Sequence, residues 1–522
     1  MSWEKEIEEL RRREELARRM GGPDKVKRQH DGGKLTVRER VDRLLDPGSF
    51  HEIGGLAGVA KYGTDGELAE FTPANLVIGR GRIAGRPVAI TGDDFTVRGG
   101  ANDGGIKNKL LSVERMACDL RLPLVRLVDG TGGGGSVKNL ELQGHSPMPK
   151  AFLWDWWTEN LSEIPVVSLA LGSVAGLGAA RVVCSHYSVM VKGSSQMFVA
   201  GPPVVEWTHG KFEKNELGGS HIHTRNGAVD DEAASEDDAF DRARKFLSYL
   251  PNSVHELAAR APCEDDPARR EPWLVEAVPR DPRKVYPMRR IIDAVVDKGS
   301  FFEIGKLWGR SVITGFARLS GWPVALMAGD PMHYGGAWTA RASEKVMRFV
   351  DLAQTFHLPM VHLVDVPGFL IGPEAEKEGT IRYGMRAASA ILQSRMPWCS
   401  VIVRKLFGVA GALHQNSSRY GMRVAWPSAE WGSLPIAGGL EAAYKAEIEA
   451  APDPAAKRAE IEQRIRKFAS PMRGAERYDI EEIIDPRDTR RILCEFAELA
   501  APLRTPGRSS FGGSVIVILI AN

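Results

Sequence analysis

The two halves of this 522-residue chain share one sequence pattern. Four segments of the first half recur in the same order in the second half: DPGSFHEIG (46–54) and DKGSFFEIG (297–305), GRGRIAGRPVAI (79–90) and GFARLSGWPVAL (315–326), LPLVRLVD (122–129) and LPMVHLVD (358–365), IPVVSLALGSVAG (164–176) and MPWCSVIVRKLFG (396–408). The two middle pairs share an offset of 236 residues. Similarity that keeps its order over four segments indicates a duplicated unit. The fold must therefore be one that the chain builds twice.

Each half also follows the same order of predicted elements. A glycine-rich hairpin (Gly79 to Gly92 in the first half) precedes a helix, and two short apolar runs separated by a second helix come next. The predicted helices and runs are, in the first half, 105–121, Leu124 to Val128 and Val166 to Leu171, and in the second half, 341–356, Met360 to Val364 and Cys399 to Val403. Such runs between Pro and Gly are typical of strands buried on both faces. The alternation predicts an α/β fold in each half.

A polar, proline-bearing stretch at about 250–285 separates the halves and has the composition of a linker. We therefore expect an N-terminal domain at 1–265 and a C-terminal domain at 280–522. The formal net charge of +2 argues against nucleic acid or an anionic membrane as a partner. The N-terminus has no apolar signal region, and the apolar run Val515 to Ala521 is far shorter than the roughly 20 residues of a membrane helix. We expect a cytoplasmic protein.

The common catalytic and metal-binding motifs are absent from the sequence. It contains no GxxxxGK[ST] loop for a nucleotide, no GxSxG nucleophile motif and no dinucleotide-binding glycine fingerprint. The five cysteines form no CxxC pair, so neither a zinc ribbon nor a disulfide framework is predicted. The pair His221 and His223 is spaced for a metal but lacks a third ligand nearby, which favours an ordinary histidine pair. We expect no metal on this chain.

Glycine-rich segments follow the second buried strand of each half. GSVAGLGAA (172–180) and RKLFGVAGA (404–412) contain the small residues that let a strand turn directly into a helix. The first N–H groups of such a helix lack intrahelical acceptors, and two of them in a dry cleft stabilise an oxyanion. The alternative is simple strand–helix packing. The duplication favours function, because two similar turns would serve a reaction in which two carbonyl oxygens gain charge.

The sequence resembles the carboxyltransferase (β) subunits of biotin-dependent acyl-CoA carboxylases, the propionyl-CoA and methylcrotonyl-CoA carboxylase group. The matching stretches include GKLTVRERVDRLLDPGSF (33–50), DDFTVRGG (93–100), GPPVVEWTHGKFEKNELGG (201–219), FLSYLPNS (246–253), ASEKVMRFVDLAQTFHLPMVHLVDVPGF (342–369) and AERYDIEEIIDPRDTRRIL (475–493). The resemblance implies two tandem crotonase-like domains, each a spiral of ββα units, with acyl-CoA bound by the N-terminal domain and biotin by the C-terminal one.

The resemblance also implies an assembly and a reaction. It implies a homo-hexamer whose active sites combine the N-terminal domain of one protomer with the C-terminal domain of another. Biotin would arrive on a partner, the biotin carboxylase and biotin carboxyl carrier (α) subunit. In this family the carboxyl group of carboxybiotin passes to the α-carbon of the acyl-CoA without a side-chain nucleophile or a metal. The chain itself has no Met-Lys-Met, the usual setting of a biotinyl lysine.

Site residues follow from the resemblance by position. Gly176 and Leu177 correspond to the N–H pair for the acyl thioester oxygen. Val409 and Ala410 correspond to the pair for the biotin ureido oxygen, where the family commonly has Gly-Ala. Gly411 and Ala412 correspond to acyl-pocket residues that are usually Tyr-Asp or Tyr-Ile. The loss of both side chains predicts a larger pocket and a preference for acyl groups longer than propionyl.

Two alternatives remain open at the level of sequence. A decarboxylase or transcarboxylase component would run the same half-reaction in reverse. An inactive paralogue would scaffold an active subunit. Its support is the departures at Val409 and Gly411 and the loop DGTGGGGS (129–136), which lacks the arginine that many relatives have there.

Overall fold

The computed structural model describes residues 2–100, 107–130, 141, 144–146, 148 and 154–509. The chain forms two compact units, of which the first extends to Glu256 and the second begins at Leu257. The predicted domain limits of 265 and 280 stay predictions. The apolar run Val515 to Ala521 lies outside the described residues.

The first unit is built on a seven-stranded sheet with the order β1-β4-β5-β6-β7-β9-β11. The strands β1, β4 and β5 pair antiparallel, and the others pair parallel. Two small sheets, β2–β3 and β8–β10, complete the unit. The strands are β1 His51–Ile53, β2 Gly58–Tyr62, β3 Leu68–Pro73, β4 Leu76–Ile83, β5 Arg86–Asp93, β6 Leu124–Val128, β7 Val166–Ala170, β8 Ser173–Ala175, β9 Tyr187–Val191, β10 Gln196–Phe198 and β11 Asp231–Ala233.

Helices of the first unit pack on this sheet. All residues of β6, β7 and β9 are buried, as expected for parallel strands covered on both faces. The helices are α1 Glu4–Arg18, α2 Pro23–Asp31, α3 Val37–Leu44, α4 Lys107–Asp119, α5 Trp154–Glu163, α6 Leu177–Val183, α7 Pro202–His209, α8 Lys214–Gly218, α9 Ser220–Asn226 and α10 Glu236–Ser248. One core cluster joins Leu110 and Val113 of α4 to Leu124 of β6 and Val166 of β7.

The second unit contains an eight-stranded sheet with the order β12-β13-β14-β15-β16-β17-β19, and β18 also pairs with β16. Its strands are β12 Phe302–Ile304, β13 Val312–Leu319, β14 Trp322–Gly329, β15 Met360–Val366, β16 Trp398–Phe407, β17 Met422–Ala425, β18 Glu430–Gly432 and β19 Glu482–Ile483. Its helices are α11 Met288–Val295, α12 Ala340–Thr355, α13 Pro373–Lys377, α14 Thr380–Gln393, α15 Gly408–Ala412, α16 Ile436–Ala443, α17 Lys445–Glu449, α18 Pro454–Arg466, α19 Pro471–Glu476 and α20 Thr489–Ala500.

The strand registers of the two units repeat each other. In the first hairpin Ile78 pairs with Thr91, and in the second Thr314 pairs with Met327, each residue being shifted by 236. The first parallel pair follows the same offset, since Ala89 opposite Leu124 corresponds to Ala325 opposite Met360. The duplication and the α/β class predicted from the sequence are therefore confirmed at the level of register. In the described part of the chain, no helix is long and apolar enough to cross a membrane.

Candidate active site

The first strand-to-helix turn has a left-handed glycine at its centre. Strand β8 ends at Ala175, Gly176 takes φ +54°, and α6 begins at Leu177. An L side chain is strained at that φ, so the abrupt turn requires glycine. The Gly176 N–H donates to the carbonyl oxygen of Phe198 at 3.1 Å, which extends the parallel pairing of β8 with β10 by one residue.

The hydrogen bonds of this turn show which N–H groups already have an acceptor. Ala180 N–H closes the first helical bond onto Gly176 O at 2.9 Å. Within the described residues, no hydrogen-bond acceptor is found for the N–H of Leu177 or of Gly178. Gly176 therefore forms the turn itself, and its N–H already has Phe198 as an acceptor; its role as a donor to the substrate stays a prediction. In the first turn of α6, the N–H groups of Leu177 and Gly178 are available to an external acceptor.

The second turn repeats this construction 232 residues later. Strand β16 ends at Phe407, and Gly408 takes φ +62°. Gly408 is thus left-handed, like Gly176 in the first turn. Val409 and Ala410 then occupy the places of Leu177 and Gly178. The side chain of Val409 is 54% exposed, whereas Ala410 is buried. In the described part of the chain the N–H groups of both residues also lack an acceptor.

A buried carboxylate fixes the strand that leads into the second turn. Asp365 lies at an irregularity in the pairing of β15 with β16 and is fully buried. Its Oδ1 accepts the backbone N–H of Lys405 at 3.1 Å, and its Oδ2 accepts the hydroxyl of Tyr286 at 2.9 Å and Nε of Arg404 at 3.1 Å. Because the carboxylate binds two successive residues of β16, it holds the strand three residues before Gly408.

The first unit holds its turn with a comparable buried charge. Asp93 at the end of β5 accepts a hydrogen bond from the buried Arg181 of α6 at 2.8 Å. The other oxygen of Asp93 accepts the N–H of Asp129 at 3.1 Å. Asp129, equivalent in sequence to Asp365, pairs with Arg40 at 2.8 Å. Sequence reasoning did not single out these positioning residues, although both copies of the LP-x-V-x-LVD segment end in Asp.

His414 is a neutral histidine at the C-terminal end of the second turn. Nδ1 of His414 donates to the carbonyl oxygen of Gly411 at 2.9 Å, and burial lowers the pKa of this ring. The carbonyl oxygen of His414 accepts hydrogen bonds from His362, Trp398 and Ser400. Burial lowers the pKa of His362 to about 3. Both rings are therefore uncharged at neutral pH and serve the backbone geometry of α15.

The two predicted pocket residues differ in their surroundings. Gly411 is buried, and a Cβ placed on it would lie 2.9 Å from the carbonyl carbon of Leu406. The Leu406 main chain thus restricts which side chains fit at position 411. The predicted enlargement of the acyl pocket stays a prediction. Ala412 is exposed, and its role as a substrate contact stays a prediction.

The histidine pair of the first unit has a structural role at His223. Its Nε2 donates to the carbonyl oxygen of Met197 at 2.8 Å, and α9 carries both His221 and His223. Among the described residues, no group of three or more His, Cys, Asp or Glu is arranged to hold a metal ion.

Known proteins are similar to this chain in sequence and in fold. The family described as the carboxyl transferase domain matches residues 28–505. The chain is 34% identical to the propionyl-CoA carboxylase carboxyltransferase subunit of Haloferax mediterranei over 94% of this chain and 95% of that protein. It is 33% identical to the methylmalonyl-CoA carboxyltransferase 12S subunit of Propionibacterium freudenreichii subsp. shermanii, over 95% and 94%. The crystal structure of the transcarboxylase 12S hexamer, with methylmalonyl-coenzyme A and methylmalonic acid bound, matches with a TM-score of 0.86 and 30% identity over 97% of both chains.

Proposed function

The chain belongs to the carboxyl transferase domain family, and from this premise we propose that it is the carboxyltransferase subunit of a biotin-dependent acyl-CoA carboxylase. Its two tandem crotonase-like units would transfer a carboxyl group from carboxybiotin to the α-carbon of an acyl-CoA. The observation that supports this best is the pair of equivalent turns, each with a left-handed glycine followed by two residues whose N–H groups have no acceptor among the described residues.

The donor sets fit the two oxygens that gain charge in such a transfer. Backbone N–H groups at the start of a helix are fixed, uncharged donors that need no reorganisation as an oxyanion forms. We assign Leu177 and Gly178 to the thioester oxygen of the acyl-CoA, because the N–H of Gly176 is taken by Phe198. Val409 and Ala410 are assigned to the ureido oxygen of biotin. Biotin on a partner subunit would supply the carboxyl group and accept the α-proton.

The departure from the family at Val409 does not remove a donor. Every residue except proline contributes one backbone N–H, so Val presents the same group as the usual glycine. Gly408, which precedes it, takes the left-handed conformation that the turn requires. Val409 is therefore compatible with activity, which weakens the alternative of an inactive scaffolding paralogue.

The relatives suggest the first substrates to test. Those described above are named for propionyl-CoA and methylmalonyl-CoA. An acyl-CoA of this size is therefore the first substrate to test, beside the longer acyl groups that Gly411 and Ala412 predict. The direction of transfer is a separate question, and the similarity to the 12S subunit supports transcarboxylation as the second candidate.

Proline scanning of the two helix starts tests the proposal. Proline is tolerated in the first turn of a helix and removes only an N–H that has no intrahelical acceptor. Leu177→Pro and Val409→Pro should each lower kcat by about 10²–10³-fold, the usual effect of removing one oxyanion donor. The assay is fixation of labelled bicarbonate into acyl-CoA by the complex with its biotin-carrying partner.

The matched controls are Leu177→Ala and Val409→Gly, which change the side chain and keep the N–H. They should retain activity within a few fold. Proline variants that assemble normally and remain fully active would refute the assignment of these donors.

A further inference from the structure

A cavity of about 400 Å³ lies in the second unit beside the end of β16. This volume is within the range of pockets that bind small organic molecules. Its apolar lining comes from Leu274 and Pro279, from Trp426 and Pro427 after β17, and from Pro471 of α19. Charged side chains make up the rest of the lining that concerns binding. The cavity is thus suited to a ligand with one apolar and one charged part.

The charged side chains of the lining include more cations than anions. The cations are Arg280, Arg404, Lys405 and Arg466, and the carboxylate is Glu430. Two of the cations already have partners. Arg404 pairs with Asp365 at 3.1 Å, and Arg466 pairs with Glu462 at 2.7 Å and with Glu430 at 3.7 Å.

The other two cations, Arg280 and Lys405, lack such partners. In the described part of the chain, neither side chain has a hydrogen bond or ion pair with a protein group. Arg280 is exposed, and Lys405 is half-buried. Cross-strand pairing sets Lys405 opposite Glu430, yet no ion pair forms between their side chains.

The charged form of Lys405 is therefore disfavoured by its surroundings. Burial lowers the pKa of its ammonium group, and the charge of Arg404 lowers it further, while Asp365 and Glu430 act in the opposite direction. A half-buried charge without a partner is unfavourable, and a bound anion removes this cost. The position is also fixed, because the Lys405 N–H donates to Asp365 at 3.1 Å.

We infer that this cavity binds a small organic anion, whose carboxylate or phosphate pairs with Lys405 and Arg280 while its apolar part packs on Trp426 and the neighbouring prolines. None of the four helix-start residues assigned to the acyl and ureido oxygens lines this cavity. Its existence does not depend on the carboxyl-transfer proposal.

Calorimetric titration of the full purified chain tests the site, with phenyl phosphate, benzoate, inorganic phosphate and benzyl alcohol as probes. Phenyl phosphate or benzoate should bind saturably at one site per chain. Inorganic phosphate and neutral benzyl alcohol should bind at least tenfold more weakly than the better anion. Lys405→Met and Arg280→Ala should each weaken that binding by tenfold or more.

The matched control is Lys306→Met, which removes an exposed cation of the same unit outside the cavity, and it should bind like the wild type. Arg280 is exposed, so its variant keeps the test valid if Lys405→Met proves unstable. Absence of saturable binding by either organic anion would overturn the inference. The inference would also be overturned if Arg280→Ala and a stable Lys405→Met both bound the organic anion as tightly as the wild type. Equal affinity for inorganic phosphate and the organic anion would overturn it as well.

Discussion

Replacing Asp365 with asparagine should strongly destabilise the second unit. The side chain keeps its shape but loses its charge, which leaves the buried guanidinium of Arg404 without an anion. Breaking a buried ion pair from one side costs about 3–5 kcal/mol. The carboxylate accepts the Lys405 N–H at one oxygen and the Tyr286 hydroxyl at the other, and asparagine keeps only one acceptor oxygen, so one of these two hydrogen bonds is lost.

This free energy converts into a measurable shift. For a unit of this size 1 kcal/mol shifts Tm by about 2–4 °C, so Asp365→Asn should melt about 10 °C below the wild type. Circular dichroism and scanning calorimetry at pH 7.5 give the Tm. The activity of the folded variant should also fall, because Asp365 holds the strand that leads into Gly408.

Two further variants serve as controls for the Tm of Asp365→Asn. Asp281→Asn removes a partly exposed carboxylate that binds the exposed Arg283 at 3.1 Å, and it should leave Tm unchanged within error. Adding Arg404→Met to Asp365→Asn should recover part of the lost stability, because the uncompensated charge is gone. A shift below about 2 °C for Asp365→Asn, or no recovery in the double variant, would show that this carboxylate does not hold the strand.

Three other predictions concern the acyl site, a buried acid and the assembly. Gly411→Tyr should lower Tm rather than redirect chain-length preference, because its Cβ meets the Leu406 backbone at 2.9 Å; a stable variant shifted toward acetyl-CoA in kcat/KM would contradict this. Burial raises the pKa of Asp351 to about 7 from 3.8. The folded protein therefore has its full stability below pH 3.8, where this acid is neutral in both states, and loses stability as pH rises toward 7. The Tm difference between Asp351→Asn and wild type should grow in favour of the variant between about pH 4 and 7 and then level off; a constant difference would refute this. Light scattering should give a hexamer of about 340 kDa from the 57.2 kDa chain, and a stable, active monomer would exclude it.

Local pattern was enough to predict the strands and the position of the turns. The strand Leu124–Val128 was predicted to the residue, since a leucine-proline and an aspartate bound its apolar run. The helix predicted at 341–356 is Ala340–Thr355, an offset of one residue. The strand predicted as Cys399 to Val403 extends to Phe407. Its polar end was missed because Asp365, distant in sequence, neutralises Arg404 inside the sheet.

The donors of the turns depended on pairing that a single sequence does not show. The N–H of Gly176 bonds to Phe198 because β8 pairs in parallel with β10. The space at Gly411 likewise depends on the Leu406 backbone. Both features arise from contacts of the folded main chain, which the identity of the residue itself does not encode.

Carboxyl transfer in a complex with the proposed biotin-carrying partner is the most direct measurement. The complex is supplied with ATP, labelled bicarbonate and propionyl-CoA, and the label is followed first on the carrier and then in the acyl-CoA. We expect label in an acid-stable carboxylated acyl-CoA only when this chain is present, and none from the chain alone. An assembled complex that labels the biotin but passes no label to propionyl-CoA or to longer and shorter acyl-CoAs would contradict the proposed function.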